Sequence, residues 1–226
     1  MRCVCLVLLI ASGSFLWSRP SSWTEWKKET LCDLSTIPGW CSKEKAEKIM
    51  DFLHRVKPKR CVEIGACGGS TTYPIARSLQ YSRKGVVWAV DAWDRKIAAE
   101  GFDSHDPGFS WWMKEDMNDL YRHFLGLIER KKLSSYCRVL RLTSQAALKT
   151  FPDESLDFVY LDGSASEEMS LLDASLSYRK VRRGGYIWLN DSHCESKLGA
   201  VAYLMERCEW LEKYSLSNRS IVFKKS

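Results

Sequence analysis

Several things are missing from this chain, and each absence removes a class of function. Beyond the first few residues no C-x-x-C pair and no His/Cys cluster has metal-ligand spacing, so no zinc module is expected. There is no arginine-rich arm. The basic stretches Ser82-Arg-Lys84, Glu129-Arg-Lys-Lys132 and Arg179-Lys-Val-Arg-Arg183 each follow a predicted helix, where cations complement the macrodipole, and nucleic acid is not expected as a partner. No apolar run approaches the ~20 residues that cross a bilayer, so no membrane span is expected. Internal repeats and low-complexity tracts are also absent.

What is present suits one substantial core. The chain has 226 residues, 45% of them hydrophobic, which argues for one domain and against disorder. Its nine cysteines are an odd number and do not read as a disulfide framework; Cys61 and Cys67 read as small packing residues of a reduced protein. The N-terminus points the other way. Arg2 precedes the apolar run Cys3 to Ala11, and Ala11-Ser-Gly13 is a passable cleavage site, a pattern that resembles a secretory signal. Residues 1–17 are therefore read as a signal or hydrophobic N-terminal segment, 18–57 as a lead-in and helix, and 58–226 as a cofactor-binding domain. The compartment stays open, with the signal-like segment favouring export and the unpaired cysteines favouring the cytoplasm.

The most informative segment is Cys61-Val-Glu-Ile-Gly-Ala-Cys-Gly-Gly-Ser-Thr-Thr72, a short apolar strand running through glycines and hydroxyls into a helix. Gly65 and Gly69 allow positive φ and close backbone approach, and the following helix N-terminus offers free N–H groups, so the segment reads as a nucleotide-cofactor loop. Val86-Val-Trp-Ala-Val-Asp91 is a second apolar run that ends in an acid where a ribose-binding carboxylate belongs.

Periodicity supplies the frame. Residues 18–41 read as an irregular lead-in, Ser42 as the cap of a helix ended by Pro58, and 92–112 as a long connection containing Trp111 and Trp112. A helical face runs from Met113 to Leu127. Strands at 138–142, 157–162 and 186–190 alternate with helices from Ser144, from about 166 and from about 196, and two closing runs, Trp210 to Leu216 and Ser220 to Phe223, suit an antiparallel edge hairpin. The expectation is an α/β, Rossmann-like fold with a mostly parallel seven-stranded sheet and helices on both faces.

On these residues the chain resembles class I S-adenosylmethionine-dependent methyltransferases, in particular the small-molecule O-methyltransferases of the catechol and macrolide-sugar type. The likeness runs through Ile37-Pro-Gly-Trp40, Glu63-Ile-Gly65, Gly69-Ser-Thr71, Val90-Asp91-Ala-Trp93, Leu156 to Gly163, Val181-Arg-Arg-Gly-Gly-Tyr-Ile187 ahead of the fifth strand, and Asn190-Asp191. It implies that Glu63 and the turn from Gly65 to Gly69 hold the methionine part of S-adenosylmethionine with Ser70 near its carboxylate, and that Asp91 binds the ribose. Thr143 and Ser144 would border adenine, with Ala92 and Trp93 near its other side, and Asp162 would also contact the cofactor.

The same resemblance implies a Mg²⁺ site at Asp162, Asn190 and Asp191; the alternative, that Asp162 contacts only the cofactor and Asn190-Asp191 ends a strand, stays open. Two departures stand out. Cys67 replaces a family glycine, and Ala165 occupies the position of the family's general base. His193 is the residue expected to act in its place, with Asp162 as its catalytic companion. A small hydroxylated molecule is the expected substrate, and the oligomeric state is not legible. Two other readings are kept: an exported interaction protein with a catalytically reduced fold, and a nicotinamide dehydrogenase, which the missing G-x-G-x-x-G spacing disfavours.

Overall fold

The computed structural model describes residues 22–214 and 219–226. The signal-like segment at 1–17 lies outside these residues. Seven strands form one sheet: β1 (Arg60–Ile64), β2 (Val86–Asp91), β3 (Cys137–Arg141), β4 (Leu156–Leu161), β5 (Val181–Asn190), β6 (Cys208–Trp210) and β7 (Ser220–Lys225), in the order β3-β2-β1-β4-β5-β7-β6. The first five are parallel, and β7 runs antiparallel to both β5 and β6.

The nine α-helices of the described residues are α1 (Trp23–Asp33), α2 (Lys43–Val56), α3 (Thr72–Ser82), α4 (Arg95–Ala98), α5 (Pro107–Lys114), α6 (Met117–Arg130), α7 (Ser144–Lys149), α8 (Glu167–Lys180) and α9 (Leu198–Met205). Strand alternation divides the core cleanly. Cys61, Val87, Ala89, Phe158, Tyr160 and Trp188 join the cluster that contains Ile49 and Phe52 of α2, Ile75 of α3 and Phe124 of α6. Their neighbours Val62, Ile64, Val90, Val159, Leu161, Ile187 and Leu189 join the other cluster, with Ala147 of α7, Ala174 of α8 and Leu204 of α9. Burial on both faces is why these strands read as nearly continuous apolar runs.

Five expectations need correction. The lead-in is not irregular: Ser22 and Glu25 form a reciprocal capping box that starts α1, and the Trp26 indole donates to the Arg77 carbonyl oxygen at 2.9 Å, which seats that helix on α3. The long connection after β2 holds two short helices, α4 capped by Asp94 and α5 capped by Asp106 with Pro107 in its first turn. Met113 belongs to α5 and not to the next helix, because Asp116 accepts from the N–H groups of Asn118 and Asp119 and begins α6 afresh. Val181 to Gly185 lies inside β5 and not before it, a register shift against β4 absorbing the two glycines. The closing pair is also displaced: the first strand of the hairpin is Cys208–Trp210, ahead of the expected run, which extends partly outside the described residues.

The strand order reverses at β1, which has β2 on one side and β4 on the other. Chain direction and handedness then open a crevice beyond the carboxyl ends of β1 and β4.

Candidate active site

The turn that leaves β1 fits its surroundings only without side chains. Gly65 has φ +89°, and a Cβ there would lie 2.0 Å from the Asp162 carbonyl oxygen, so the ends of β1 and β4 close on a bare backbone. Gly69 has φ +95°, and a Cβ would lie 2.5 Å from the Phe124 ring. Cys67 takes φ +49°, which supplies the left-handed backbone that the absent glycine would otherwise provide. Burial, followed by the neighbouring Asp91 carboxylate, pushes its thiol up to about 12, so it stays protonated.

Asp91 ends β2 and locks this turn. Its Oδ2 accepts the Cys67 N–H at 2.9 Å and its Oδ1 accepts the Trp93 N–H at 2.8 Å. The Trp93 indole returns to the Cys67 carbonyl oxygen at 3.0 Å. Burial raises the Asp91 pKa, and the backbone donors oppose that shift. On β1, Glu63 is buried beneath the same turn; the Thr72 hydroxyl donates to its Oε2, while Oε1 has no partner among the described residues. Burial drives its pKa well upward, and the Thr72 hydroxyl bond opposes that shift. Ser70 is buried, and its Oγ accepts the Cys41 N–H at 3.3 Å, which fastens the segment around Trp40 to the turn.

These parts line one cleft of about 980 Å³. Of the residues expected from sequence, Glu63, Gly65, Ser70, Asp91, Ala92, Thr143, Ser144, Asp162 and Asp191 line it together. Gly69 stands behind the lining against Phe124. Asn190 is buried beside the cleft, its Nδ2 donating to Asp162 Oδ1 at 2.8 Å and its Oδ1 left without a partner among the described residues. His193 is exposed, 3.8 Å from the Cys194 sulfur, and is not one of the lining residues.

Burial, then the Asp191 charge, lifts the Asp162 carboxyl to about 6. Asp162, Asp191 and the Asn190 amide oxygen are hard oxygen donors, the ligand type that suits Mg²⁺. Among the described residues no three His, Cys, Asp or Glu side chains come together as a metal-holding group.

Sequence reasoning missed three contributors. Lys197 is buried at the cleft wall, its Nζ donating to the Ser164 carbonyl oxygen and, at 3.0 Å, to the Ser170 hydroxyl. Burial lowers its pKa, while Asp162, Asp173 and Asp191 hold it up. Trp40, 64% exposed, meets the rings of Trp111 and Trp112 edge-on at 4.9 and 5.5 Å, giving the cleft an indole rim. Asp173 reaches the cleft from α8 and was hidden inside a stretch read only as a helix. The legible signal was the buried face of that helix, where Ser170, Asp173 and Ser177 stand in place of apolar residues.

The sequence profile of a family described as a methyltransferase domain matches residues 62–192, more than half of the chain. The chain belongs to that methyltransferase family. No curated protein sequence matches it. Among solved structures, this methyltransferase resembles an S-adenosylhomocysteine-bound methyltransferase from Podospora anserina, PaMTH1, with 12% identity, 89% of this chain and 88% of that one covered, and a TM-score of 0.64. It also resembles the O-methyltransferase NovP, with 18% identity over 82% and 81% of the two chains and a TM-score of 0.63. A third likeness is to an S-adenosylhomocysteine complex of an O-methyltransferase from Bacillus cereus, with 16% identity over 93% and 94% and a TM-score of 0.56. At these identities the structural likenesses establish the fold of this methyltransferase, and its chemistry rests on its own residues.

Proposed function

We propose that this chain binds S-adenosylmethionine in the cleft and transfers its methyl group to an oxygen of a small hydroxylated molecule. The single observation that carries this reading is the joining of the Gly65 turn to the Asp91 carboxylate through Cys67, which sets a side-chain-free backbone and an acid around one ligand-sized opening. The solved structures with S-adenosylhomocysteine bound support the choice of cofactor.

The residues divide the work along the cleft. The turn from Gly65 to Gly69, with Glu63 and Ser70, holds the amino-acid end; Asp91 takes the ribose; Ala92, Trp93, Thr143 and Ser144 border the base. When bound, the cofactor supplies an electrophilic methyl group on a sulfonium. The Trp40, Trp111 and Trp112 rim presents flat apolar faces to the acceptor, in keeping with a planar or largely apolar molecule. Asp162, Asn190 and Asp191 would hold a divalent cation, which lowers the pKa of a coordinated hydroxyl.

Ala165 cannot take the acceptor's proton. Lys197, bonded to the carbonyl of Ser164 next door, brings an amine of lowered pKa to the same stretch of the cleft, whereas the other candidate, His193, must turn in from the surface. Calorimetric titration with S-adenosylhomocysteine tests the cofactor, and a panel of catechols and hydroxylated sugars assayed for transfer of a labelled methyl tests the acceptor. Saturable binding that disappears in Asp91→Ala is the expected result; no binding to the unaltered chain would remove the reading.

A further inference from the structure

One wall of the cleft is built differently from the rest. From Asp94 to Asp116 only Ala99 is buried, although this segment carries two capped helices and lines the cleft with Ile97, Gly101, Phe102 and Trp111. The next helix is anchored in the usual way, α6 burying Met117, Leu120, Phe124, Leu127 and Ile128. An open apolar hollow lined by Ile97, Phe102, Phe109 and Met113 lies between α4 and α5, so these two helices do not close-pack. A segment with so little buried surface opens at small cost.

Its attachments fall into two groups. At the base, entry and exit are tied together: Arg95 Nε donates to the Glu115 carbonyl oxygen at 2.6 Å, and one nitrogen of Arg141, on β3, donates to the Trp93 carbonyl oxygen at 3.3 Å and to Asn118 Oδ1 at 2.8 Å. Trp93 and Met117, just outside the segment, are both buried. Farther out the contacts are light. The Gly101 backbone abuts Ser166, where a Cβ would lie 2.2 Å from the backbone nitrogen, the Ser164 hydroxyl reaches the Glu100 carbonyl oxygen at 3.4 Å, and Trp111 and Trp112 rest edge-on against Trp40. Trp40 itself is held to the body of the protein through the neighbouring Cys41 N–H and Ser70. A tied base with light outer contacts has the make-up of a hinge and a latch.

We infer that residues 94–116 form a strap over the cleft that swings about the base tied by Arg95 and Arg141, and that Trp40 is the latch that holds it shut. Its purpose rests on the cofactor reading above: the strap admits the acceptor and releases S-adenosylhomocysteine at each turnover. The motion itself belongs to the ligand-free chain. Edge-on indole contacts are weak enough to break and re-form with every opening.

Hydrogen exchange followed by mass spectrometry tests the motion on the ligand-free chain, Trp40→Ala and Trp40→Phe, with thermal melting as a check of folding. In the unaltered chain the amides of Trp111 to Lys114 are expected to exchange on the order of 100-fold faster than those of Leu120 to Leu127. Trp40→Ala is expected to speed exchange in α5 by about three- to tenfold, to leave α6 and the melting temperature unaltered, and to be largely rescued by Trp40→Phe. Exchange in α5 as slow as in α6, or indifferent to Trp40→Ala, overturns the inference. So does a Trp40→Ala variant that melts lower and exchanges faster throughout, which is the mark of a purely structural residue. Saturating S-adenosylhomocysteine is expected to slow exchange in α5 severalfold; bound ligand that leaves α5 unaffected overturns the placement of the strap over the cleft. If calorimetry shows no binding of S-adenosylhomocysteine, the cofactor reading fails on its own, and the exchange of the ligand-free chains still decides the motion.

Discussion

Asp91 and Cys67 share a 2.9 Å hydrogen bond from the Cys67 backbone N–H to the Asp91 Oδ2, so the turn after β1 and the acid ending β2 behave as one rigid piece. Trp93 completes the piece by donating its own N–H to Oδ1 and its indole N–H to the Cys67 carbonyl oxygen. A ligand gripping either half is held by both.

Asp91→Ala therefore removes more than a ribose contact. It leaves the Cys67 and Trp93 N–H groups without their acceptor and frees the turn. We expect affinity for S-adenosylhomocysteine to fall by about 100-fold or more, with Asp91→Asn intermediate because the amide retains one acceptor oxygen. Calorimetry reads the effect directly, and an unchanged affinity in Asp91→Ala would contradict the proposed site.

Two glycine substitutions are expected to act in opposite directions. Gly65→Ala places a methyl 2.0 Å from a backbone oxygen at φ +89°, and a loss of about 2–4 kcal/mol is expected along with loss of cofactor binding. Gly126 lies within α6, where a Cβ would meet only the end of the Arg130 side chain, so Gly126→Ala should stabilise by about 0.5–1 kcal/mol. Denaturant melts of both variants at one pH check the pair.

The pH response of the ligand-free chain carries a sign that Asp173 sets. Burial raises its carboxyl from 3.8 to about 6, so the folded chain holds that proton more tightly than the unfolded one. This contribution to stability is complete below about pH 4 and is lost as pH rises through about 6. Asp173→Asn removes the penalty, and its melting temperature should exceed that of the unaltered chain at pH 8, by an equivalent of about 1–3 kcal/mol, with the difference vanishing near pH 4. A variant less stable at pH 8 than at pH 4, relative to the parent, would contradict the assignment.

For proton transfer, Lys197 and His193 make separable predictions. With a catechol such as 3,4-dihydroxybenzoate as acceptor, Lys197→Met is expected to lower kcat on the order of 100-fold, to leave S-adenosylhomocysteine affinity unaltered and to abolish the rise of rate with pH. His193→Ala is expected to leave all three nearly unchanged. The reverse pattern would return the role to His193.

Much of the frame was legible because strand and turn chemistry is local. The apolar runs at Val86 to Asp91 and Asp157 to Leu161, the glycines at 65 and 69 and the N-cap Ser42 specify their own elements, and the order of these signals was sufficient to indicate the sheet. Where reading failed, a local signal had been passed over or the decisive partner lay far along the chain. The Ser22 and Glu25 capping box was visible in the letters but was overshadowed by the surrounding Ser, Trp and Pro content. Lys197 carries no local mark; its importance comes from Ser164 and Ser170, 33 and 27 residues away. Asp173 likewise acquires meaning only when α8 folds beside the ends of the strands and brings it into the cleft lining.

The placement of β7 between β5 and β6 has a consequence for biosynthesis. Every other strand precedes it from the ribosome, so throughout elongation Ile187, Trp188 and Leu189 present an open hydrogen-bonding margin that only the late-arriving Ser220 to Lys225 can cover. Nascent chains stalled in that interval would be the species most prone to stick to one another and the natural clients of a holding chaperone.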